Sequence, residues 1–493
     1  MSSVKHPRDH SDVNDEETDS RKKFKSLHYV DAGVRLLESK PVTNAENIGC
    51  VTLKDIIRHD HLESMYQFNF TVNLDFLMDA LHPKVRDTAQ VTVIHGHRFD
   101  ETRLAIQADA KRYPNVRLLL PTLRDKYGTH HTKAMVLFFN RNGVKTARLV
   151  VSTANLCPED WEQMTQGVYM SPLCPLKQDS QPVAGTVIGA EFGSEFERHL
   201  ISYFQAYGPD LSALRKQVAL YDWSQCKAIL IGSVPGYHRG GTMNDWGLGR
   251  LAQVLRTRVK LSEKCCEQGS TIVAQCSSFP GVTEKWFDND LGASLAEATN
   301  AKAAVKPTLK FIYPTAQEVR RSCTGIVDSA GFLRLDQKTF DQHEGWLKKR
   351  LCRWQSKRAG RQIVMPHIKT YTRITGDELE WFLLTSANLS RAAWGQYQKD
   401  HTQIYIKSYE LGVLLCRELF QDLSDDVHLL PATVENRLPT IEEPMSSATI
   451  VPIRLPYDIP ILPYGPEDEC YTRGYASRAL EDHFGSGSAN LID

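Results

Sequence analysis

The chain repeats itself, and the repeat restricts its fold more than any other feature does. In the first half "GTHHTKAMVLFFN" (128–140) sets His131-x-Lys133 at the mouth of an apolar run, and "VVSTANLCPEDW" follows. In the second half "MPHIKTYTR" carries His367-x-Lys369, and "FLLTSANLSRAAW" follows. Both copies place Ala-Asn-Leu after an apolar, strand-like run and a tryptophan six residues beyond the asparagine, Asn155 to Trp161 and Asn388 to Trp394. The histidine-to-asparagine intervals are close, 155 − 131 = 24 and 388 − 367 = 21. Agreement in residue type, spacing and flanking pattern points to one structural unit used twice.

The segments around the repeat indicate what that unit is. Apolar, β-branched runs ("VTVIHG", "VRLLLP", "ARLVVS", "KAILIGS", "LKFIYP", "EWFLLTS") alternate with helix-like stretches, "ETRLAIQADAKRY" and "HEGWLKKRLCRWQSK". Buried strands alternating with helices predict α/β layers. The expected fold is α/β: two similar α/β sandwich domains related by pseudo-twofold symmetry. The Gly/Pro/Ser-rich "IGSVPGYHRGGTMNDWG" (231–247) reads as the junction, dividing the chain into domains at 27–234 and 235–493. "TVENRLPTIEEPMSSATIVP" reads as a long surface loop. Residues 1–26 are charged and nearly free of large apolar groups, so a disordered tail is expected there. Its run Arg21, Lys22, Lys23, Lys25 reads either as a nuclear import signal or as a solvated charge run.

Charge narrows the function classes. Lys plus Arg and Asp plus Glu both number 59, so any affinity for phosphate must come from a local patch rather than a basic surface. No apolar run approaches the roughly 18 residues that span a bilayer, and the N-terminus lacks the apolar core of a secretory signal. A soluble, intracellular chain is the expectation. The 11 cysteines are scattered, and Cys265-Cys266 has neither zinc-ligand nor thioredoxin-like spacing, so reduced, mostly core thiols are expected.

In an extended segment alternate side chains share a face, so His131 and Lys133 point one way and His130 and Thr132 the other. Two such copies brought face to face would ring one pocket with two imidazoles, two ammoniums and two carboxamides. That inventory suits a phosphate diester. Lys133 and Lys369 neutralise non-bridging oxygens, and the NH2 groups of Asn155 and Asn388 donate to them. One neutral histidine attacks phosphorus while the other, protonated, serves the leaving oxygen and then takes a proton from water. Spacing alone does not say which histidine does which. Each half also offers a polar side chain beside a later strand, Gln166 and Glu410, able to hold the second nitrogen of an imidazole. The neutral Gln166 would leave its partner less basic than Glu410 would.

These motifs resemble the phospholipase D superfamily. Within it "GTHHTK", "STANL", "DWEQMTQG", "MPHIKTY", "TSANLSRAAWG" and "SYELGVL" look like the tyrosyl-DNA phosphodiesterase family, in a form similar to its fungal members. The likeness runs from about residue 27 to the C-terminus and is weak in the tail and loops. The wider superfamily has an aspartate five positions after each lysine. Here those positions are Phe138 and Ile374, a departure shared with the tyrosyl-DNA subgroup. The resemblance implies that His131 is the nucleophile and His367 the general acid and base. It also implies that Lys133, Lys369, Asn155 and Asn388 clamp phosphate, with Gln166 and Glu410 in orienting positions. No metal and no cofactor are implied. The implied substrate is a single-stranded or nicked DNA 3′ end joined through phosphate to a topoisomerase I tyrosine, and the product is a 3′-phosphate. A nuclear monomer, away from membranes, is the corresponding expectation. Ser277 and Ser278 match a family segment on the DNA backbone, Ser390 reads as a cap that turns the helix after Asn388 toward a phosphate, and Tyr127 sits where the family has an aromatic able to stack on a base; a turn, an ordinary cap and a core aromatic are the alternative readings.

Two rivals stand beside this reading. A lipid phosphodiesterase of the same superfamily would want an apolar rim and the motif aspartates. A DNA-end-binding scaffold without activity would need the cations but not both imidazoles.

Overall fold

The computed structural model describes residues 28–123, 125–178, 193–432 and 448–484. The expected tail and most of the expected surface loop lie outside these residues. The end of that loop segment is ordered differently from expectation, because Thr449–Ile453 is a strand between Val427–Pro431 and the short strand His28–Tyr29.

Fourteen strands carry the architecture. In the first half they are Val34–Leu36 (β1), Leu62–Asn69 (β2), Gln90–His95 (β3), Val116–Leu119 (β4), Ala134–Arg141 (β5), Val144–Ser152 (β6) and Gly167–Met170 (β7). In the second they are Ile229–Ser233 (β8), Thr271–Gln275 (β9), Thr308–Ile312 (β10), Leu351–Cys352 (β11), Thr370–Thr375 (β12), Glu378–Thr385 (β13) and Glu410–Cys416 (β14). The first sheet runs β1-β7-β6-β5-β2-β3-β4 and the second β8-β14-β13-β12-β9-β10-β11, so each of these strands has a counterpart in the other sheet; the first sheet adds a two-residue strand, Cys174–Pro175, beside β6. The pairing directions agree as well. The first four contacts of each sheet are antiparallel and the last two parallel.

The apolar runs read from the sequence as strands all fall on these elements. One helix-like stretch does not fully hold. Residues 343–357 are helical only to Leu347, where the helix Gln337–Leu347 ends, and Leu351 and Cys352 then form the edge strand β11. Cys352 and Trp354 are fully buried there, so a second layer of the fold takes the apolar residues that a longer helix would have displayed. The sheets also change over earlier than the expected 234/235 boundary, since β8 is hydrogen-bonded to β14 of the second sheet.

Alternation along β5 shows why the sheet is a middle layer. Ala134, Val136 and Phe138 face a core shared with the helix Glu195–Gln205 and the second sheet. Met135, Leu137 and Phe139 face a separate core under the helices Leu53–Ile57 and Leu74–Ala80. Both faces are covered, which is why the strand reads as a continuous apolar run. The His-x-Lys motifs sit immediately before β5 and β12, and the Ala-Asn-Leu motifs immediately after β6 and β13, at neighbouring ends of paired strands. In each copy the tryptophan beyond the asparagine is buried and closes a short helix, Pro158–Glu162 or Arg391–Trp394, which anchors the asparagine turn.

Candidate active site

The two motif-bearing ends meet at one cleft of about 490 Å3. His131, His367, Asn155, Asn388, Ser277, Ser278, Ser390, Tyr127 and Glu410 all line it. A hollow of similar size, about 550 Å3, lies behind the helix Pro158–Glu162, and no histidine lines it.

Each histidine is held by the opposite half of the chain. The His131 N–H donates to the Tyr409 carbonyl (3.0 Å), and the His367 N–H donates to the Thr165 carbonyl (3.1 Å). Their rings are held across the same divide. His131 Nδ1 lies 2.9 Å from Glu410 Oε2, which also accepts from Ser386 Oγ at 2.5 Å. His367 Nδ1 lies 2.8 Å from Gln166 Nε2, and Thr153 Oγ1 donates to the other end of that amide at 2.6 Å. Ser386 and Thr153 occupy equivalent positions in "TSAN" and "STAN", so the hydroxyl before each Ala-Asn fixes the group that fixes the ring. His130 faces away from the cleft, between Asn69 O and the Tyr207 hydroxyl, and burial drives its pKa down to about 3.

The sequence reading passes over Asp160. Its Oδ2 lies 2.8 Å from His367 Nδ1 and accepts from Gln166 Nε2 at 2.7 Å and the Asn155 N–H at 2.7 Å. The Gln166 amide N–H already points at the carboxylate, so a proton on His367 Nδ1 can only be accepted by Asp160. The ring expected to have a neutral amide behind it therefore has a carboxylate too. Five residues beyond Asn388 the equivalent position is Ala393, so the halves deliver their carboxylates from different places. The signal available in sequence was weak: an aspartate in the first turn of a short helix reads as an ordinary helix-terminal charge.

Burial controls the electrostatics. Lys133 and Lys369 are fully buried, and each ammonium donates to the carbonyl of the histidine two residues earlier. Burial pushes Lys133 down to about 8; burial and the nearby Lys133 charge push Lys369 well below the usual lysine range. Burial lowers both histidines as well, His367 to about 4, against the pull of their carboxylates. Burial alone would raise Glu410 and Asp160. It is outweighed by His131 at Glu410 and by His367 at Asp160, so both stay ionised. An entering anion would offset the burial that disfavours the charged ammoniums and imidazoles.

The asparagines differ. Asn388 Oδ1 accepts from the Ser277 N–H (3.2 Å) and Oγ (3.3 Å), which turns its NH2 away from the serine. Asn155 Nδ2 gives one hydrogen to Asp160 Oδ1 at 3.3 Å and has a second to offer. Ser390 Oγ caps its helix through the Ala393 N–H, and Tyr127 is 66% exposed at the rim. Among the described residues no group of three His, Cys, Asp or Glu side chains is placed to hold a metal ion.

Residues 35–465 match the family model described as tyrosyl-DNA phosphodiesterase. The chain belongs to the tyrosyl-DNA phosphodiesterase family. Membership makes it a phosphodiesterase of DNA repair. A probable tyrosyl-DNA phosphodiesterase of Schizosaccharomyces pombe is 30% identical, over 91% of this chain and 94% of its own length. Tyrosyl-DNA phosphodiesterase 1 of Arabidopsis thaliana is 33% identical, over 90% of this chain and 75% of its own. The crystal structure of the yeast tyrosyl-DNA phosphodiesterase superposes with a TM-score of 0.64 at 21% identity, covering 89% of this chain and 98% of that one, and so shares the fold.

Proposed function

We propose that this phosphodiesterase hydrolyses the bond between a DNA 3′-phosphate and the tyrosine of a topoisomerase I peptide, through a phosphohistidine, leaving a 3′-phosphate. The observation that carries this is the pair of imidazoles facing one cleft, each with Nδ1 against a carboxylate from the opposite half. With Nδ1 held, Nε2 is the nitrogen left for chemistry.

In the first step His131 Nε2 attacks phosphorus and a P–N bond forms. The P–O bond to tyrosine breaks, and His367, whose protonated form the bound phosphate favours over the neutral ring of the empty site, gives its proton to the departing phenolate. Glu410 stabilises the charge that appears on the His131 ring. In the second step His367 takes a proton from water, the resulting hydroxide attacks phosphorus, and the P–N bond breaks to restore His131. Lys133, Lys369 and the two asparagines meet the non-bridging oxygens throughout. Ser277, Ser278, Ser390 and Tyr127 serve the DNA on this reading. The chain acts as a monomer and in the nucleus, with the basic run Arg21 to Lys25 as the import signal.

Separate variants test the division of labour. His131→Ala leaves substrate intact and forms no adduct. His367→Ala accumulates an acid-labile enzyme–DNA adduct on a denaturing gel, because a phenol with pKa near 10 departs slowly unaided while water is no longer deprotonated. Trapping by the His131 variant alone would reverse the roles; adducts from neither, with both inactive, would favour direct attack by water. Turnover of phosphatidylcholine, but not of a 3′-phosphotyrosyl oligonucleotide, would favour the lipid phosphodiesterase.

A further inference from the structure

Beside the cleft lies a small antiparallel sheet made of Gly236–Arg239, Gln403–Ile406 and Gln396–Gln398. Its register pairs Tyr237 with Tyr405 and Arg239 with Gln403. Because side chains alternate, Ile404 and Ile406 turn to one face and are fully buried, while Tyr237, Arg239 and Tyr405 stand on the other. Lys407, two residues past Tyr405, continues that row.

The row alternates rings and cations. Tyr237 is 57% exposed and stacks on Tyr405 with ring centres 4.3 Å apart. The Arg239 guanidinium lies 5.5 Å from the Tyr237 ring. Lys407 Nζ stands between two rings, 6.0 Å from Tyr405 and 5.2 Å from Tyr127, and Lys126 flanks Tyr127 at 4.8 Å. Asp125 sits within the row: it accepts from the Tyr405 hydroxyl at 2.5 Å and the Tyr127 N–H at 2.7 Å, and pairs with Lys407 Nζ at 3.5 Å, a separation that leaves the ammonium free to reach a phosphate as well. The inner end of the row is continuous with the cleft, which Tyr127 and Ser408 both line.

We infer that this row is a track for single-stranded DNA on the 5′ side of the cleaved phosphate, with bases packing against Tyr237 and phosphates meeting Lys407 and Arg239. The inference rests on the reading of the cleft as the site of a DNA 3′ end and extends it outward. A 3′-terminal substrate has nucleotides only on its 5′ side, so one path must lead them out. Every base presents a π-face and every linkage a negative charge, which is what an aromatic row interleaved with cations binds without regard to sequence. A chain of zero net charge has no general pull on a polyanion, so local cations must supply it. An acidic peptide would use the cations but gain little from the stacked tyrosines.

The test compares KM for 3′-phosphotyrosyl oligonucleotides of about 4 and about 12 nucleotides, lengths chosen to stop short of the row and to cover it. The full chain should favour the longer one by on the order of tenfold. Tyr237→Ala should remove most of that ratio, and Tyr237→Phe, which keeps the ring, should retain it. Arg239→Ala should flatten the salt dependence of binding by about 0.7 in the log–log slope, one phosphate's worth. The inference is overturned if the unaltered chain shows no length dependence. It also falls if Tyr237→Ala raises both KM values equally, if Tyr237→Phe behaves like alanine, or if only a blunt duplex is affected. If no oligonucleotide is cleaved, the proposed activity fails separately, and anisotropy with 3′-phosphate oligonucleotides of the two lengths decides the track on the same terms.

Discussion

Asp160, on a short helix of the first half, lies 2.8 Å from the ring nitrogen of His367, which precedes a strand of the second. Replacing it with asparagine keeps the shape and one accepting oxygen but removes the charge that balances a proton on the ring. Asp160→Asn should lower kcat by on the order of a hundredfold or more, as loss of the carboxylate behind a catalytic imidazole does. On the proposed mechanism His367 acts on water in the second step, so the variant should also hold enzyme–DNA adduct in steady state. Loss of rate with no adduct would limit Asp160 to a role before bond cleavage.

Lys133 sets an alkaline limit. Burial brings its ammonium down to about 8, so its charge is present below that pH and lost above it. The kcat/KM ratio, which reports the free protein, should fall as pH rises through about 8. Bound phosphate favours the charged form, so kcat should decline only at higher pH. Rates on a 3′-phosphotyrosyl oligonucleotide from about pH 6 to about pH 10 decide it. A kcat/KM that stays level to the end of that range would show that Lys133 keeps its proton in the empty cleft.

Arg361 is fully buried and joins distant parts of the chain, donating to the carbonyls of Glu46 (3.0 Å) and Leu37 (3.0 Å) and to Asn47 Oδ1 (2.8 Å). Arg361→Met fills the volume but leaves these acceptors without a donor. It should cost about 3–5 kcal/mol of stability, read from the denaturant midpoint. A change below about 1 kcal/mol would mean that water replaces the guanidinium.

Gly128 passes so close to the second half that an added Cβ would meet the Lys407 carbonyl oxygen at 2.1 Å. Gly128→Ala must push back the loop that carries Tyr127. The expected cost is about 1–3 kcal/mol, with a several-fold rise in KM for DNA. Unchanged melting and unchanged KM would show that the loop has room to move.

Much of this site was legible in the sequence because it was written twice. The copies of His-x-Lys and Ala-Asn-Leu located both strand mouths, and the polar residue before a later strand led to Gln166 and Glu410. Asp160 was illegible because it has no counterpart: Ala393 stands at the matching place, and only the folded chain aims a helix-terminal carboxylate across the cleft. The Tyr237–Tyr405 stack was invisible for a related reason, since cross-strand register joins residues that periodicity cannot relate. Leu351 and Cys352 misled because a helical spacing of apolar residues continues past Leu347 while tertiary packing claims them for a sheet edge.

The exchange of carboxylates between halves makes neither half self-sufficient. His131 draws its partner from the C-terminal part and His367 from the N-terminal part, so a chain cut ahead of Ile229 would yield two inert fragments, each holding an imidazole stripped of its counter-charge. A substitution that moves Glu410 or Asp160 is therefore felt first at the imidazole of the other half.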